Sequence, residues 1–395
     1  MADGRRESEL AGAGSDAAGP SSTPWDRVPR TARRACPALL VYGVATLLHL
    51  VILTAMIPPG GPSLRDRLLA WDGLRYTQIA SNGYPHGLTD DPAGSNLAFF
   101  PLFPLLARAV HAVTGLDYGM AVIVTANLAF AAALVICDLL LTRLYGRRTA
   151  LIAVVLLATA QPMAVVFGMG YSEALFLALA AGSLLAAHRN AWLTAGTLGL
   201  LAGLTRPAAV AVVAALAVAV VPYVVRSRPF AWRPVAAVAL ACCGMPLYLW
   251  WVGRRAGRPD AWFVLQRSGW NTYWDYGRSF IGFLGLTLTR GDGWVAVSAA
   301  VLLLGLLTAT ALTWRRDTWP PLLVYGVGIL VTALGQSSYY HCKLRLVITA
   351  VLFVVPLARA LSRASLGTNA LVLSTGALFG CWYGAYMLTA WHYGI

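Results

Sequence analysis

One carboxylate in this sequence stands in a setting suited to chemistry. Asp72 follows Trp71 in the run Trp71-Asp72-Gly73-Leu74-Arg75-Tyr76, with Ile79-Ala80 and Gly83-Tyr84 behind it. A bulky aromatic neighbour shields a carboxylate from water, and a carboxylate held in that way can take a proton from an attacking hydroxyl as general base. After a polar turn come Asn96 and the run Phe99-Phe100-Pro101-Leu102-Phe103-Pro104-Leu105-Leu106, apolar enough to wall a pocket. The same residues also fit an interfacial aromatic anchor carrying a solvated aspartate. Glu173, in Gly170-Tyr171-Ser172-Glu173-Ala174-Leu175-Phe176, is the only glutamate outside the N-terminal tail. It opens an apolar segment, where Ser172 as N-cap and an acid in the first turn both favour a helix. An acid at a membrane boundary is also a candidate for orienting a sugar or a basic partner.

Three cations stand at comparable positions. Arg206 lies in Leu204-Thr205-Arg206-Pro207, and Lys343 and Arg345 lie in Tyr339-Tyr340-His341-Cys342-Lys343-Leu344-Arg345. Lys343 is the only lysine among 30 basic residues. Arginine grips phosphate oxygens bidentately and lysine acts as a point charge, so the group suits a phosphate or pyrophosphate. Each alone also suits snorkelling toward lipid headgroups. Farther along, Trp262-Phe263-Val264-Leu265-Gln266-Arg267-Ser268-Gly269-Trp270 and Tyr273-Trp274-Asp275-Tyr276 interleave aromatic faces with amides and a carboxylate. That mixture fits sugar binding and equally fits an aromatic belt at a membrane interface.

Other chemistries lack their signatures. No GxxxxGK[ST] phosphate loop, HExxH or GxSxG run occurs. His49, His86, His111, His188, His341 and His392 show no metal-ligand spacing, and no two cysteines form a CxxC. Asp90-Asp91 could hold a divalent cation weakly, but adjacent turn carboxylates are ordinarily solvated. The expectation is that neither a metal nor an organic cofactor is required.

The elements that must position these residues are membrane helices. Hydrophobic residues make up 58% of the chain and charged residues 12%, against about 25% charged in soluble domains. Mean hydropathy is +0.66 over the 395 residues. A bilayer can absorb that much apolar surface and a soluble core cannot. The net charge of +14 suits topology and lipid phosphates better than nucleic acid, because the arginines cluster at segment ends. Residues 1–36 read as a disordered cytoplasmic tail, with Arg27, Arg30, Arg33 and Arg34 just before the first apolar stretch. Residues 37–395 then read as one all-α polytopic domain.

With roughly 20 apolar residues needed per crossing, about eleven spans are predicted. They fall near residues 37–57, 117–142, 149–168, 172–188, 191–205, 207–225, 234–252, 294–314, 319–336, 344–361 and 367–391. The proline-interrupted segment 98–113 reads as interfacial or re-entrant. Threading from a cytoplasmic N-terminus leaves two long outer loops, about 58–116 and 253–293, and puts Glu173, Arg206 and residues 336–345 at the same outer level. The functional surface is therefore expected outside.

The blocks Trp71-Asp72-x3-Tyr76-x2-Ile79-Ala80-x2-Gly83-Tyr84 and Phe99-Phe100-Pro101-Leu102-Phe103-Pro104-Leu105 resemble the PIG-V family of mannosyltransferases. Tyr171–Phe176, Thr205-Arg206-Pro207, Gln266-x3-Trp270 and Lys343-x-Arg345 follow in the order of the family's bacterial branch. The likeness covers about residues 40–360. One departure is Leu344-Arg345-Leu346, where the family reads Pro-Arg-aromatic after the lysine. The resemblance implies a GT-C-type fold, a polyprenyl- or dolichyl-phosphate-mannose donor, and Asp72 as the catalytic acid of the first outer loop. Arg206, Lys343 and Arg345, the cations that suit a phosphate, are assigned to the donor phosphate. Trp71, Tyr76, Glu173, Gln266 and Trp270 would then position the sugars. The expected activity is inverting mannosyl transfer at the outer face of a bacterial plasma membrane, onto a glycolipid, lipoglycan or glycoprotein. Transfer of another lipid-linked sugar, a lipid flippase or transporter, and a non-catalytic glycolipid-binding subunit are the competing readings.

Overall fold

The computed structural model describes residues 30–87, 94–226, 232–291, 293–314 and 318–394. Asp90, Asp91 and most of the expected tail lie outside the described residues. The chain begins with α1 (Arg30–Met56). The first connecting region folds as α2 (Leu64–Leu68), α3 (Asp72–Asn82) and α4 (Leu102–Thr114). Then come α5 (Tyr118–Tyr145), α6 (Arg147–Val155), α7 (Glu173–His188), α8 (Trp192–Gly203), α9 (Val210–Arg226) and α10 (Trp232–Ala256). The second connecting region supplies α11 (Ala261–Trp270) and α12 (Arg278–Arg290). The remainder is α13 (Trp294–Trp314), α14 (Pro320–Leu334), α15 (Tyr340–Val347), α16 (Val355–Leu361) and α17 (Leu366–Thr389). Among the described residues the only β feature is an isolated Trp274–Gln336 bridge.

The protein is an integral, multi-pass membrane protein, but its helices do not divide as evenly as the apolar pattern suggests. Among the described residues six are long and apolar enough to cross a membrane, or seven if α15 and α16 count as one bent span. Four more, α4, α7, α8 and α14, are apolar but of only 10–17 residues. At about 1.5 Å per residue these fall short of a hydrocarbon core about 30 Å thick. The helix α1 also starts at Arg30, earlier than the boundary near Cys36, because alanine and arginine continue a helix readily.

Two expected spans are broken, and both breaks have local causes. Residues 149–168 divide into α6, a five-residue π turn (Leu156–Ala160) and a 3₁₀ turn (Ala164–Gly168). Pro162 ends the first part, since the residue before a proline leaves the helical region, and Gln161 is extended at ψ 131°. The π turn frees the Ala158 carbonyl, which lies 2.9 Å from His49 Nε2. Residues 344–361 bend by 83° between α15 and α16. There the Tyr325 hydroxyl donates to the Thr349 carbonyl at 2.9 Å.

Close helix contacts rest on small residues. Gly196, Gly199 and Gly203 of α8 face Ala237, Ala241 and Gly244 of α10. A Cβ on Gly244 would stand 2.2 Å from the Leu200 carbonyl oxygen, and one on Gly203 would stand 2.8 Å from the Met245 nitrogen. With lipid tails as apolar as leucine, such backbone approach is what favours one helix over lipid as a neighbour. Gly244→Leu is therefore expected to lower the melting temperature of detergent-solubilised protein markedly. Gly305→Leu, where a Cβ meets nothing within 4 Å, serves as control; equal melting temperatures for the two variants would contradict this account of the seam.

Candidate active site

Local backbone chemistry places Asp72. It is the first residue of α3, where a negative charge is favoured by the helix dipole. Trp71 before it is held at φ 53°, a conformation that costs a bulky residue about 1–3 kcal/mol. Neighbouring segments fix that turn. The Gly170 amide donates to the Leu68 carbonyl at 2.8 Å, and the Tyr171 hydroxyl donates to the Ala70 carbonyl at 3.2 Å. A Cβ on Gly170 would stand 2.7 Å from a Val122 methyl, so a larger residue here would have to push that side chain aside. The segment entering α7 is thereby strapped to the start of α3.

Arg206 is set by the proline after it. Pro207 forces Arg206 into an extended conformation (φ −156°, ψ 150°) and starts the next helical turn. The Leu102 amide donates to the Leu204 carbonyl at 3.0 Å, tying this corner to the start of α4. Arg345 comes from α15.

The three segments meet in a ladder of charges. Arg345 Nη1 donates to Asp72 Oδ2 at 2.8 Å. Arg345 Nε stands 3.4 Å from Glu173 Oε1, and Arg206 Nη1 stands 2.7 Å from the same oxygen. Glu173 is fully buried, and neither of its carboxylate oxygens makes a hydrogen bond, so its contacts with the arginines are ion pairs. The Arg345 guanidinium also lies 5.0 Å from the Tyr171 ring centroid, over its face. Ser172 stands at the N-cap position of α7 but makes no capping bond with its side chain. Its hydroxyl instead accepts from Tyr76 at 2.9 Å and from Arg206 at 3.2 Å. Burial pushes the Tyr76 phenol well above its ordinary pKa, so it stays protonated as a donor.

A cavity of about 520 Å³ opens beside this ladder. Trp71, Asp72, Tyr76, Arg206, Gln266, Trp270 and Arg345 all line it. Its aromatic wall is continuous: Tyr76 meets Phe99 edge-on at 5.3 Å, and Phe99 meets Trp270 at 5.5 Å. Trp262 Nε1 and Gln266 Nε2 both donate to the Ala98 carbonyl, at 3.2 and 3.3 Å, which pins α11 to the Phe99–Phe100 segment.

Two residues expected at the site are placed elsewhere. Glu173 lies behind the arginines and does not line the cavity. Lys343 is also absent from the lining; its Nζ donates to the Ala333 and Gln336 carbonyls at 2.9 and 2.8 Å, capping the end of α14. In a helix, residues two apart point to different faces, so Lys343 and Arg345 cannot both face one cavity. The aromatic pair Trp274 and Tyr276 lies outside the cavity too, with Trp274 packed on Gly335. Conversely, His341, Cys342, Tyr393 and Gly394 line the cavity without having been singled out. His341 was legible in principle, since it is four residues from Arg345 and shares its helix face. Among the described residues no three His, Cys, Asp or Glu side chains cluster as a metal site would require.

No family model matches the sequence, and no curated protein matches it. Its architecture does have solved counterparts. ArnT from Cupriavidus metallidurans bound to undecaprenyl phosphate superposes with a TM-score of 0.53 at 16% identity. The match covers 85% of this chain and 62% of that one. ArnT from the same organism in the apo state gives 0.51 at 18% identity, covering 84% and 61%. The fold is of the GT-C type. The chain thus spans less than two thirds of the ArnT length.

The ladder makes a stability prediction. Removing one partner from a buried ion pair costs about 3–5 kcal/mol. Glu173→Gln is expected to lower the melting temperature in detergent, and Glu173→Gln combined with Arg206→Gln to lose less than the two single changes added together. Strict additivity would mean that the two side chains are not coupled.

Proposed function

We propose that this protein transfers a sugar from a polyprenyl-phosphate carrier to an acceptor hydroxyl, and that the sugar is mannose. The observation that carries this reading is the single cavity in which the Asp72 carboxylate faces the Arg206 and Arg345 guanidinium groups among aromatic surfaces. Guanidinium groups suit a phosphate, and aromatic faces suit a sugar ring. The ArnT structure of like fold holds undecaprenyl phosphate, which has the chemistry of the proposed leaving group. The choice of mannose rests on the resemblance of the Trp71–Tyr84 and Phe99–Leu105 blocks to the PIG-V family.

In this scheme a β-linked polyprenyl-phosphate mannose enters sideways from the outer leaflet. Its phosphate engages Arg206 and draws Arg345 from Asp72. The freed Asp72 oxygen accepts the proton of the acceptor hydroxyl as that oxygen attacks the anomeric carbon. The bond from the anomeric carbon to the phosphate oxygen breaks, and its electron pair leaves with polyprenyl phosphate. Arg206 and Arg345 stabilise the charge that grows there. Attack from the opposite side inverts the centre and gives an α-mannoside. Gln266, Trp270, Trp71 and Tyr76 orient the sugars, which lowers the entropic cost of reaction. Two guanidinium groups supply the positive charge, so the scheme calls for no metal. The acceptor is a glycolipid, lipoglycan or glycoprotein outside a bacterial plasma membrane, with the N-terminus in the cytoplasm. The arginines preceding the first apolar stretch support that orientation.

The test uses purified protein in nanodiscs with radiolabelled polyprenyl-phosphate mannose and a membrane-lipid extract as acceptor pool. Asp72→Asn is expected to lose at least about 100-fold in transfer while still binding donor. Near-wild-type turnover in that variant would remove Asp72 as base, and no labelled product with wild type would count against mannosyl transfer itself.

A further inference from the structure

One wall of the cavity has no task in that scheme. The helix α15 presents His341 and Arg345 to the cavity, one turn apart on the same face. The His341 side chain is buried, at 7% exposure, and its Nδ1 has no hydrogen-bond partner. Aromatic rings surround it: Tyr339 at 5.6 Å, Tyr340 at 5.2 Å and Trp391 at 5.7 Å. Gly394 lines the same wall. A Cβ on Gly394 would in turn stand 3.3 Å from Trp71, so this wall abuts the residue before Asp72. The imidazole is thus a polar ring in the cavity wall with hydrogen-bonding capacity to spare, which points to a ligand group that pairs with it.

We infer that His341 reads a hydroxyl of the donor sugar. The inference rests on the reading that Arg206 and Arg345 hold the donor phosphate. Four residues of helix rise by about 6 Å, which matches the reach from a phosphate to the far hydroxyls of a pyranose attached to it. A hydroxyl both donates and accepts, so it pairs with the imidazole in either tautomer of the ring. A carrier lipid without its sugar gains nothing from this residue. His341 thus acts as a specificity determinant that separates loaded carrier from spent carrier, on a surface distinct from the phosphate contacts.

The test measures the affinities of polyprenyl phosphate and polyprenyl-phosphate mannose for wild type, His341→Phe, His341→Gln and Arg206→Ala in nanodiscs. Wild type is expected to prefer the mannosylated lipid. His341→Phe keeps a ring for the surrounding aromatics and should cut that preference about 3- to 10-fold, the worth of one neutral hydrogen bond. Its affinity for bare polyprenyl phosphate should not change, and His341→Gln should retain part of the preference. An unchanged preference in His341→Phe overturns the inference, and so does equal weakening toward both lipids, which would assign the residue to packing. Arg206→Ala should weaken both lipids alike. If it weakens neither, the phosphate reading has failed, and the role given to His341 falls with it.

Discussion

Asp72, Arg345, Glu173 and Arg206 form an alternating line of charge in which each member meets its neighbour at 2.7 to 3.4 Å. They come from α3, α15, the start of α7 and the corner before α9. A charge taken out of water alone is very costly, so the buried Glu173 and Arg345 are tolerable there only with their partners. The surrounding irregularities follow from that demand. The π turn and Pro162 end α6 early, so that residues 168–171 can return to the start of α3. The strain at Trp71 is held by the same return. The bend after α15 keeps that helix short, with Arg345 in its last turn.

The ladder also separates local charge from global charge. The chain carries a net +14, yet the site sets two carboxylates against two guanidinium groups. Basic composition therefore reports how the arginines are spread along the segment ends, as expected for topology. It says nothing by itself about an anion site. The positive potential available to a phosphate arises only when a ligand competes with Asp72 or Glu173 for the arginines.

Much of this was legible in the sequence, for identifiable reasons. Apolar runs mark helices, and each of the eleven predicted stretches coincides with one helix or with two or three helical pieces. Where one piece stops is decided by single residues such as Pro162, whose effect a hydropathy pattern averages away. Asp72, Arg206, Gln266 and Trp270 share a cavity as their common membrane level suggests. Glu173 and Lys343 share that level too, but level does not fix side-chain direction. Lys343 turns to the carbonyls of α14 because its register on α15 points it there. His341 carried no charge signal and emerged only from the register it shares with Arg345. The glycines of α8 and α10 likewise acquire meaning only once the two helices are known to touch.

The placement of Lys343 has a practical side. It is the only lysine in the sequence; the residue is 1% exposed, and its ammonium group is committed to two backbone carbonyls. Reagents that acylate or cross-link side-chain amines accordingly find no accessible lysine on this protein. A lysine introduced at any chosen surface position becomes the one accessible lysine side chain, so a dye, a tether or a surface attachment can be directed to it once the N-terminal α-amine is blocked.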